Sequence, residues 1–265
     1  MSEMIKKEAI PNLKAEFRSK RPYGYASAGD LFNRTQLSKV ASEIIAHIES
    51  IPEEKNIYAS HKKFKQSSLE LMPPDTKKFL AYLNSQEFID ELEEITGISD
   101  LHGDPELRGG GVHAIGRGGF LKLHTDFNWH PSLNMHRRLN LLIYLNEPWE
   151  SGWKGAIELW DESVTNKQFS LEPRLGNALI FETNDISYHG HPDPLETPHG
   201  IYRKSIAMYY YTSSRPKTEV RLGKSSMTNY VERPGERFAN DRLRRIRHKL
   251  QIKIKRVLHV FVRRS

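Results

Sequence analysis

Cysteine is absent from the 265 residues of this chain. Its absence excludes a disulfide framework, a zinc site with thiolate ligands, an iron–sulfur cluster and a cysteine nucleophile. Hydrophobic residues make up 37% of the chain and charged residues 28%. This balance is typical of a globular protein, and a chain of this length can bury a sizeable core without covalent crosslinks.

Long hydrophobic runs are also missing. The longest one, residues 139–145, is interrupted by Asn140 and is far too short to cross a bilayer. The basic N-terminal segment is not followed by an apolar stretch, so we expect no secretory signal. These absences predict a cytoplasmic protein, with association at the inner face of a membrane as the alternative.

Acidic residues are missing from the C-terminal tail, residues 242–265, which contains 10 Lys and Arg. The rest of the chain has 30 basic and 33 acidic residues, so the net charge of +7 originates in the tail. Because the body of the protein is net negative, binding of nucleic acid by the whole protein is disfavoured.

Apolar residues near the C-terminus recur at helical spacing, and Lys and Arg fill the opposite face. The pattern predicts a basic amphipathic helix over residues 233–265. Three roles are open for it. The apolar stripe packs on the core, or residues 242–265 lie on an anionic membrane surface, or the helix binds nucleic acid or another acidic partner.

The N-terminal part of the chain is predicted to form a helical layer at about residues 30–100, after an irregular segment over residues 1–30. Apolar residues recur every three or four positions between Asp30 and residue 51. Two further helices are expected near residues 76–84 and 86–96, the second ending at Gly97.

Short runs of branched and aromatic residues, separated by turns, dominate residues 109–215. Strands are expected at residues 120–126, 139–145, 156–160, 178–181 and 205–211. This spacing is typical of an all-β sandwich or barrel. We therefore predict a mainly β protein with flanking helices, in which residues 1–232 form one domain.

A metal site is predicted from two places in the β region. Residues i and i+2 of a strand share a face, so His124 and Asp126 are expected to point to the same side. His189 supplies a second imidazole. Two imidazoles and one carboxylate on one face of a metal form the ligand set of non-haem Fe(II) oxygenases, which leaves positions open for substrate and dioxygen.

An anion site is predicted on the last long strand. Arg203 and Ser205 share a face by the same alternation. A guanidinium and a hydroxyl in a β pocket can bind a carboxylate through charge-assisted hydrogen bonds.

These residues lie in five sequence blocks, whose order and spacing resemble the Fe(II)/2-oxoglutarate-dependent dioxygenases of the prolyl-4-hydroxylase-like type. The blocks read GGGVHAIGRGGFLKLHTDFNWH, RRLNLLIYLNEPW, GAIELWD, NALIFETNDISYHGHP and YRKSIAMYYYT. The resemblance implies a double-stranded β-helix, or jelly roll. It implies Fe(II), 2-oxoglutarate and dioxygen as cofactor and cosubstrates, with ascorbate as a further candidate.

The resemblance also implies the roles of individual residues. His124, Asp126 and His189 would bind Fe(II), and Arg203, assisted by Ser205, would pair with the distal carboxylate of 2-oxoglutarate. Related halogenases have a small residue at the position of Asp126, so a carboxylate there favours hydroxylation. His191 is the alternative distal ligand, but His189 is favoured because the family's distal histidine typically precedes a glycine.

For several other residues of the β region, the sequence allows two interpretations. Asn140 and Tyr144 share a face of one strand and either line the cosubstrate pocket or make structural hydrogen bonds. His113 is expected at the surface rather than near the pocket. Arg137 and Arg138 either meet an anionic substrate or flank their strand on the solvent side.

Two other functions compete with the hydroxylase. One is a non-catalytic jelly-roll protein that binds a metal or ligand, and the other is a metal-dependent jelly-roll enzyme that does not use 2-oxoglutarate. Arg203 argues against both, because neither needs a carboxylate clamp beside the metal. The sequence does not distinguish between a peptide, a free amino acid, a saccharide and a lipid head group as the organic substrate.

Overall fold

Four α-helices precede the main sheet in the computed structural model, which describes residues 4–50, 60–216, 219 and 223–235. The helices are α1 (Ile10–Ser19), α2 (Arg34–His47), α3 (Pro74–Leu83) and α4 (Gln86–Thr96). Helix α4 begins where the Ser85 side chain accepts a hydrogen bond from the Phe88 amide, and it ends at Gly97, whose φ of 72° is left-handed. The predicted helices therefore correspond to α2, α3 and α4.

The expectation of an irregular segment at residues 1–30 is wrong. This segment contains α1 and a strand, β1 (Tyr25–Ala28). Helix α1 buries Ile10, Leu13 and Phe17 and packs against α4. Its helical pattern is short and has a low mean hydropathy, so tertiary packing rather than local propensity stabilises it.

The remaining strands follow in chain order. They are β2 (Ser60–Gln66), β3 (Gly111–Thr125), β4 (Trp129–His130), β5 (Met135–Tyr144), β6 (Ile157–Trp160), β7 (Lys167–Leu171), β8 (Ala178–Glu182), β9 (His189–His191), β10 (Arg203–Thr212) and β11 (Asn229–Tyr230). The five predicted strands correspond to β3, β5, β6, β8 and β10. Strand β9 has only three residues and no strand-forming side chains, so propensity could not indicate it.

The strands form an antiparallel sheet in the order β1-β8-β5-β10-β3-β9-β6-β7. The long strand β3 joins two parts of this sheet, because its first half pairs with β10 and its second half pairs with β9. Strands β2 and β11 also pair with β3. The sheet curls into a nearly closed jelly roll, as expected, and β3 lies on its inner wall.

Alternate side chains of β10 point to opposite faces of the sheet, one toward the hydrophobic core and the other toward a cavity. Ile206, Met208 and Tyr210 belong to the large hydrophobic core that the helices cover. Arg203 and Ser205 lie on the opposite face and line a cavity inside the roll. The helices thus pack on one face of the sheet, and the predicted site residues Arg203 and Ser205 lie on the opposite face.

The predicted C-terminal helix, residues 233–265, lies outside the described residues apart from its first three positions. Its packing and its proposed contact with a membrane therefore stay predictions. In the part of the chain that the structure describes, no helix is both long and apolar enough to cross a membrane.

Candidate active site

Three predicted ligands come together at the end of β3. His124 and His189 are direct partners across the β3–β9 ladder, and their ring centroids are 4.3 Å apart. Asp126 follows β3 immediately. One ligand atom from each of these three residues lies within 4.8 Å of the others, and each side chain is buried or nearly so. The group could hold a single metal ion.

Hydrogen bonds orient both imidazoles toward a common point. Nδ1 of His124 lies 2.7 Å from the carbonyl oxygen of Lys122, and Nδ1 of His189 lies 2.9 Å from that of Ser187. A carbonyl can only accept, so each Nδ1 carries the proton and each Nε2 presents a lone pair. This is the tautomer that a metal needs, and the main chain fixes it. The donor set therefore fits Fe(II).

Asp126 is held at one of its two oxygens. Oδ2 accepts hydrogen bonds from Nη2 of Arg137 and Nδ2 of Asn140, both at 2.8 Å. Oδ1 accepts neither of these hydrogen bonds and lies 3.6 Å from Nε2 of His124, whereas Oδ2 also lies 3.3 Å from Nε2 of His189. Burial alone would raise the pKa of Asp126, but the charge of Arg137 and the two neighbouring imidazoles together hold this pKa well below the ordinary value. The carboxylate is therefore ionised, as a ligand must be.

Gly190 allows β9 to approach β3 this closely. A Cβ at this position would lie 2.8 Å from the carbonyl oxygens of Leu121 and Lys122. Because main-chain atoms of β3 cannot move aside, only glycine fits between His189 and His191.

Arg203 is buried in the same cavity without an acidic partner. Its Nε donates to the carbonyl oxygen of Gly155 at 2.6 Å, and its Nη2 donates to the Tyr144 hydroxyl at 3.1 Å. Only 4% of Arg203 is exposed, and no carboxylate in the described part of the chain pairs with it. A buried guanidinium without a counter-charge is costly, so this position favours a bound anion.

The cavity has a volume of about 140 Å³ and contains both sites. Its wall includes the three candidate metal ligands, Arg203 and Ser205. The candidate metal ligands and the guanidinium therefore line one continuous cavity.

Asn140 and Tyr144 both make hydrogen bonds to residues of the candidate site. Asn140 lines the cavity, and its side chain bonds to Asp126 and Arg137. Tyr144 is fully buried, and its hydroxyl accepts from Arg203. Both side chains therefore support a site residue through hydrogen bonds.

The expectation that His113 lies at the surface is wrong, because this residue is buried in the cavity wall. Of the two alternatives for Arg137, a place on the solvent side is excluded, because the residue is fully buried. A bulge in the β5–β10 ladder, in which Tyr210 faces Leu139 and Tyr211 faces Arg137, rotates Arg137 onto the inner face. Strict alternation from Asn140 would have placed Arg137 outside, so sequence reasoning missed its role.

Residues outside the predicted site also reach the cavity. Thr228 and Tyr230 line it, and the Tyr230 ring lies 5.3 Å from that of His124. Strand β11 brings them there by pairing with the end of β3. No pattern in the sequence indicated that this segment returns to the site.

The comparisons with known proteins agree with this geometry. The family model described as the 2OG-Fe(II) oxygenase superfamily matches residues 110–211. Residues 110–211 form a 2OG-Fe(II) oxygenase domain. No curated protein sequence matches the chain.

Solved structures of prolyl hydroxylases share the fold of this oxygenase domain. A prolyl-4-hydroxylase from Pseudomonas putida is 15% identical with a TM-score of 0.50, and the match covers 76% of this chain and 100% of that one. A prolyl 4-hydroxylase from Phytophthora capsici is 19% identical with a TM-score of 0.54, covering 83% and 69%. A Trichoplax adhaerens prolyl hydroxylase, solved with a peptide fragment of hypoxia inducible factor, is 14% identical with a TM-score of 0.57, covering 77% and 90%.

The family match confirms the resemblance drawn from the five sequence blocks, and the structural likeness confirms the jelly-roll fold. The oxygenase domain is that of an Fe(II)- and 2-oxoglutarate-dependent dioxygenase. His124, Asp126 and His189 are the group in the described residues that could bind the iron.

Proposed function

We propose that this protein is a hydroxylase that couples oxidative decarboxylation of 2-oxoglutarate to hydroxylation of a C–H bond in an organic substrate. In this proposal His124, Asp126 and His189 hold Fe(II), and Arg203 binds the distal carboxylate of 2-oxoglutarate. The main support for this proposal is the position of Arg203 in the same cavity as the three candidate ligands. Arg203 is buried, and no acidic residue in the described part of the chain pairs with it.

Bound Fe(II) and 2-oxoglutarate supply the chemistry, in which dioxygen is reduced while succinate, CO₂ and a hydroxylated product form. The chain supplies the ligands and their orientation. Main-chain carbonyls fix the two imidazole tautomers, and Arg137 and Asn140 occupy Oδ2 of Asp126. Oδ1 of Asp126, which accepts neither of these hydrogen bonds, would be left to bind the metal.

Arg203 is oriented before any ligand arrives. Its Nε and Nη2 donate to Gly155 and Tyr144, so the guanidinium plane is fixed in the cavity wall. Gly155 has a φ of +76°, and its carbonyl reaches Arg203 because no side chain intervenes. Ser205, two residues along the same face, offers a hydroxyl to the same carboxylate.

Binding of 2-oxoglutarate tests the proposal without a known substrate. Fe(II) is added anaerobically, 2-oxoglutarate is titrated, and the visible metal-to-ligand charge-transfer band is followed. We expect a saturable band in the native protein and a rise in Kd of about tenfold or more for Arg203→Ala, because a charge-assisted pair is lost. Arg174→Ala is the matched control, because the side chain of Arg174 is 52% exposed and pairs with Glu172.

A native protein that binds Fe(II) but gives no band would contradict the proposal. So would an Arg203→Ala variant with unchanged Kd. Once the band is established, candidate peptides, amino acids, saccharides and lipid head groups are compared by the succinate that each one releases.

A further inference from the structure

Four histidines line the cavity, and two of them, His113 and His191, have no role in the site described so far. His191 lies two residues after His189 on β9 and pairs with Leu121 of β3. It is 2% exposed and lines the cavity. It does not belong to the three-residue group that could hold a metal.

Both ring nitrogens of His191 lack a hydrogen-bond partner within the described residues. His124 and His189 differ in this respect, because each has Nδ1 bound to a carbonyl. An imidazole carries at least one N–H in every tautomer, and leaving such a donor buried and unsatisfied destabilises the protein. A buried polar group that faces an open cavity in this way is explained if a ligand supplies the missing partner.

The position of His191 indicates which ligand this is. On β3, Ile115 pairs with Arg203, Leu121 pairs with His191 and His124 pairs with His189. Along β3, His191 therefore lies between Arg203 and the metal site, and all three line the same cavity. An anion that joins the two sites shares this cavity with His191.

We propose that His191 donates a hydrogen bond to the carboxylate of 2-oxoglutarate that Arg203 binds, and so is a cosubstrate-binding residue. The inference rests on the proposed function. It accounts for a histidine that is buried without a protein partner, and it distinguishes His191 from the metal ligand His189 beside it.

Three variants test this role. His191→Leu removes the donor at similar size, and His191→Gln retains an N–H donor. His199→Leu, at an exposed position, controls for the loss of a histidine elsewhere. Fe(II) affinity and the Kd of 2-oxoglutarate are measured separately under anaerobic conditions.

We expect unchanged Fe(II) affinity in all three variants. The Kd of 2-oxoglutarate should rise about tenfold for His191→Leu, because a hydrogen bond to a charged acceptor is lost. It should rise less for His191→Gln and stay unchanged for His199→Leu. Loss of Fe(II) affinity in His191→Leu would show that His191 is a metal ligand, and an unchanged Kd would show that solvent satisfies the ring; either result overturns the inference.

A cosubstrate analogue locates the hydrogen bond. 2-Oxopentanoate keeps the 2-oxo acid group that binds the metal but lacks the second carboxylate. The native protein and His191→Leu should therefore bind 2-oxopentanoate equally well. If the variant loses affinity for this analogue as well, His191 acts at the metal end and the proposed location is wrong.

Thermal unfolding separates this binding role from a structural one. Because His191 makes no hydrogen bond to the described protein, His191→Leu should leave the Tm of the ligand-free protein unchanged or raise it. The rise in Tm caused by Fe(II) and 2-oxoglutarate should be smaller than in the native protein. A lower Tm without ligand would assign His191 to the fold. Absence of the charge-transfer band in the native protein would contradict the proposed function itself. A native band with an unchanged Kd in His191→Leu would contradict only the role of His191.

Discussion

The buried network of Asp126, Arg137 and Asn140 can be perturbed by a single substitution, Arg137→Gln. Arg137 donates to Asp126 at 2.8 Å and to Asn140 at 2.9 and 2.7 Å. Its guanidinium also lies 3.3 Å from the centroid of the Tyr209 ring. The side chain of Arg137 is 1% exposed and that of Asp126 is 10% exposed, so water screens their attraction little.

The substitution leaves a buried carboxylate with Asn140 as its remaining amide donor. Removing one partner of a buried ion pair typically lowers the free energy of unfolding by about 3–5 kcal/mol. We expect a loss in this range for the metal-free protein, which is a large part of the about 5–15 kcal/mol that stabilises a typical domain. Urea unfolding at pH 7 measures it.

Arg138→Gln is the matched control on the adjacent residue. Arg138 pairs with Glu219 at 3.4 Å, and the side chains are 10% and 31% exposed, so water reaches this pair through Glu219. A partly exposed pair contributes about 1 kcal/mol or less, so this variant should lose far less stability.

The double variant Asp126→Asn/Arg137→Gln removes the buried charge together with its partner. It should be more stable than Arg137→Gln alone, because an uncharged amide is cheaper to bury than an unpaired carboxylate. Equal losses for the two arginine variants, or no recovery in the double variant, would refute the argument that the pair compensates Asp126.

Two further predictions concern the metal site and the tail. His124→Ala and Asp126→Ala should abolish conversion of 2-oxoglutarate to succinate, because each removes one of three candidate metal ligands, and normal turnover in either variant would rule out the assigned site. If residues 242–265 lie on an anionic membrane, the protein with this segment should float with anionic liposomes, and deletion of the segment should abolish flotation. Liposome binding that does not depend on the segment would exclude this hypothesis.

Spacing within single strands could be read from the sequence. His124 and Asp126 are two residues apart, as are Arg203 and Ser205, and each pair faces one side because strand geometry is local. The same pattern of short branched and aromatic runs predicted β3, β5, β6, β8 and β10 but not the other strands of the main sheet, β1, β7 and β9. The charge of the tail and the exclusion of thiolate chemistry also follow from composition alone.

Contacts between distant strands were decided by tertiary structure. The β3–β9 ladder brings His189 to His124, and it also carries His191 into the cavity wall. A bulge turns Arg137 inward to Asp126, and β11 returns Tyr230 to the mouth of the site. Register, bulges and chain return depend on pairings across long sequence separations, where the packing of the whole sheet outweighs local propensity.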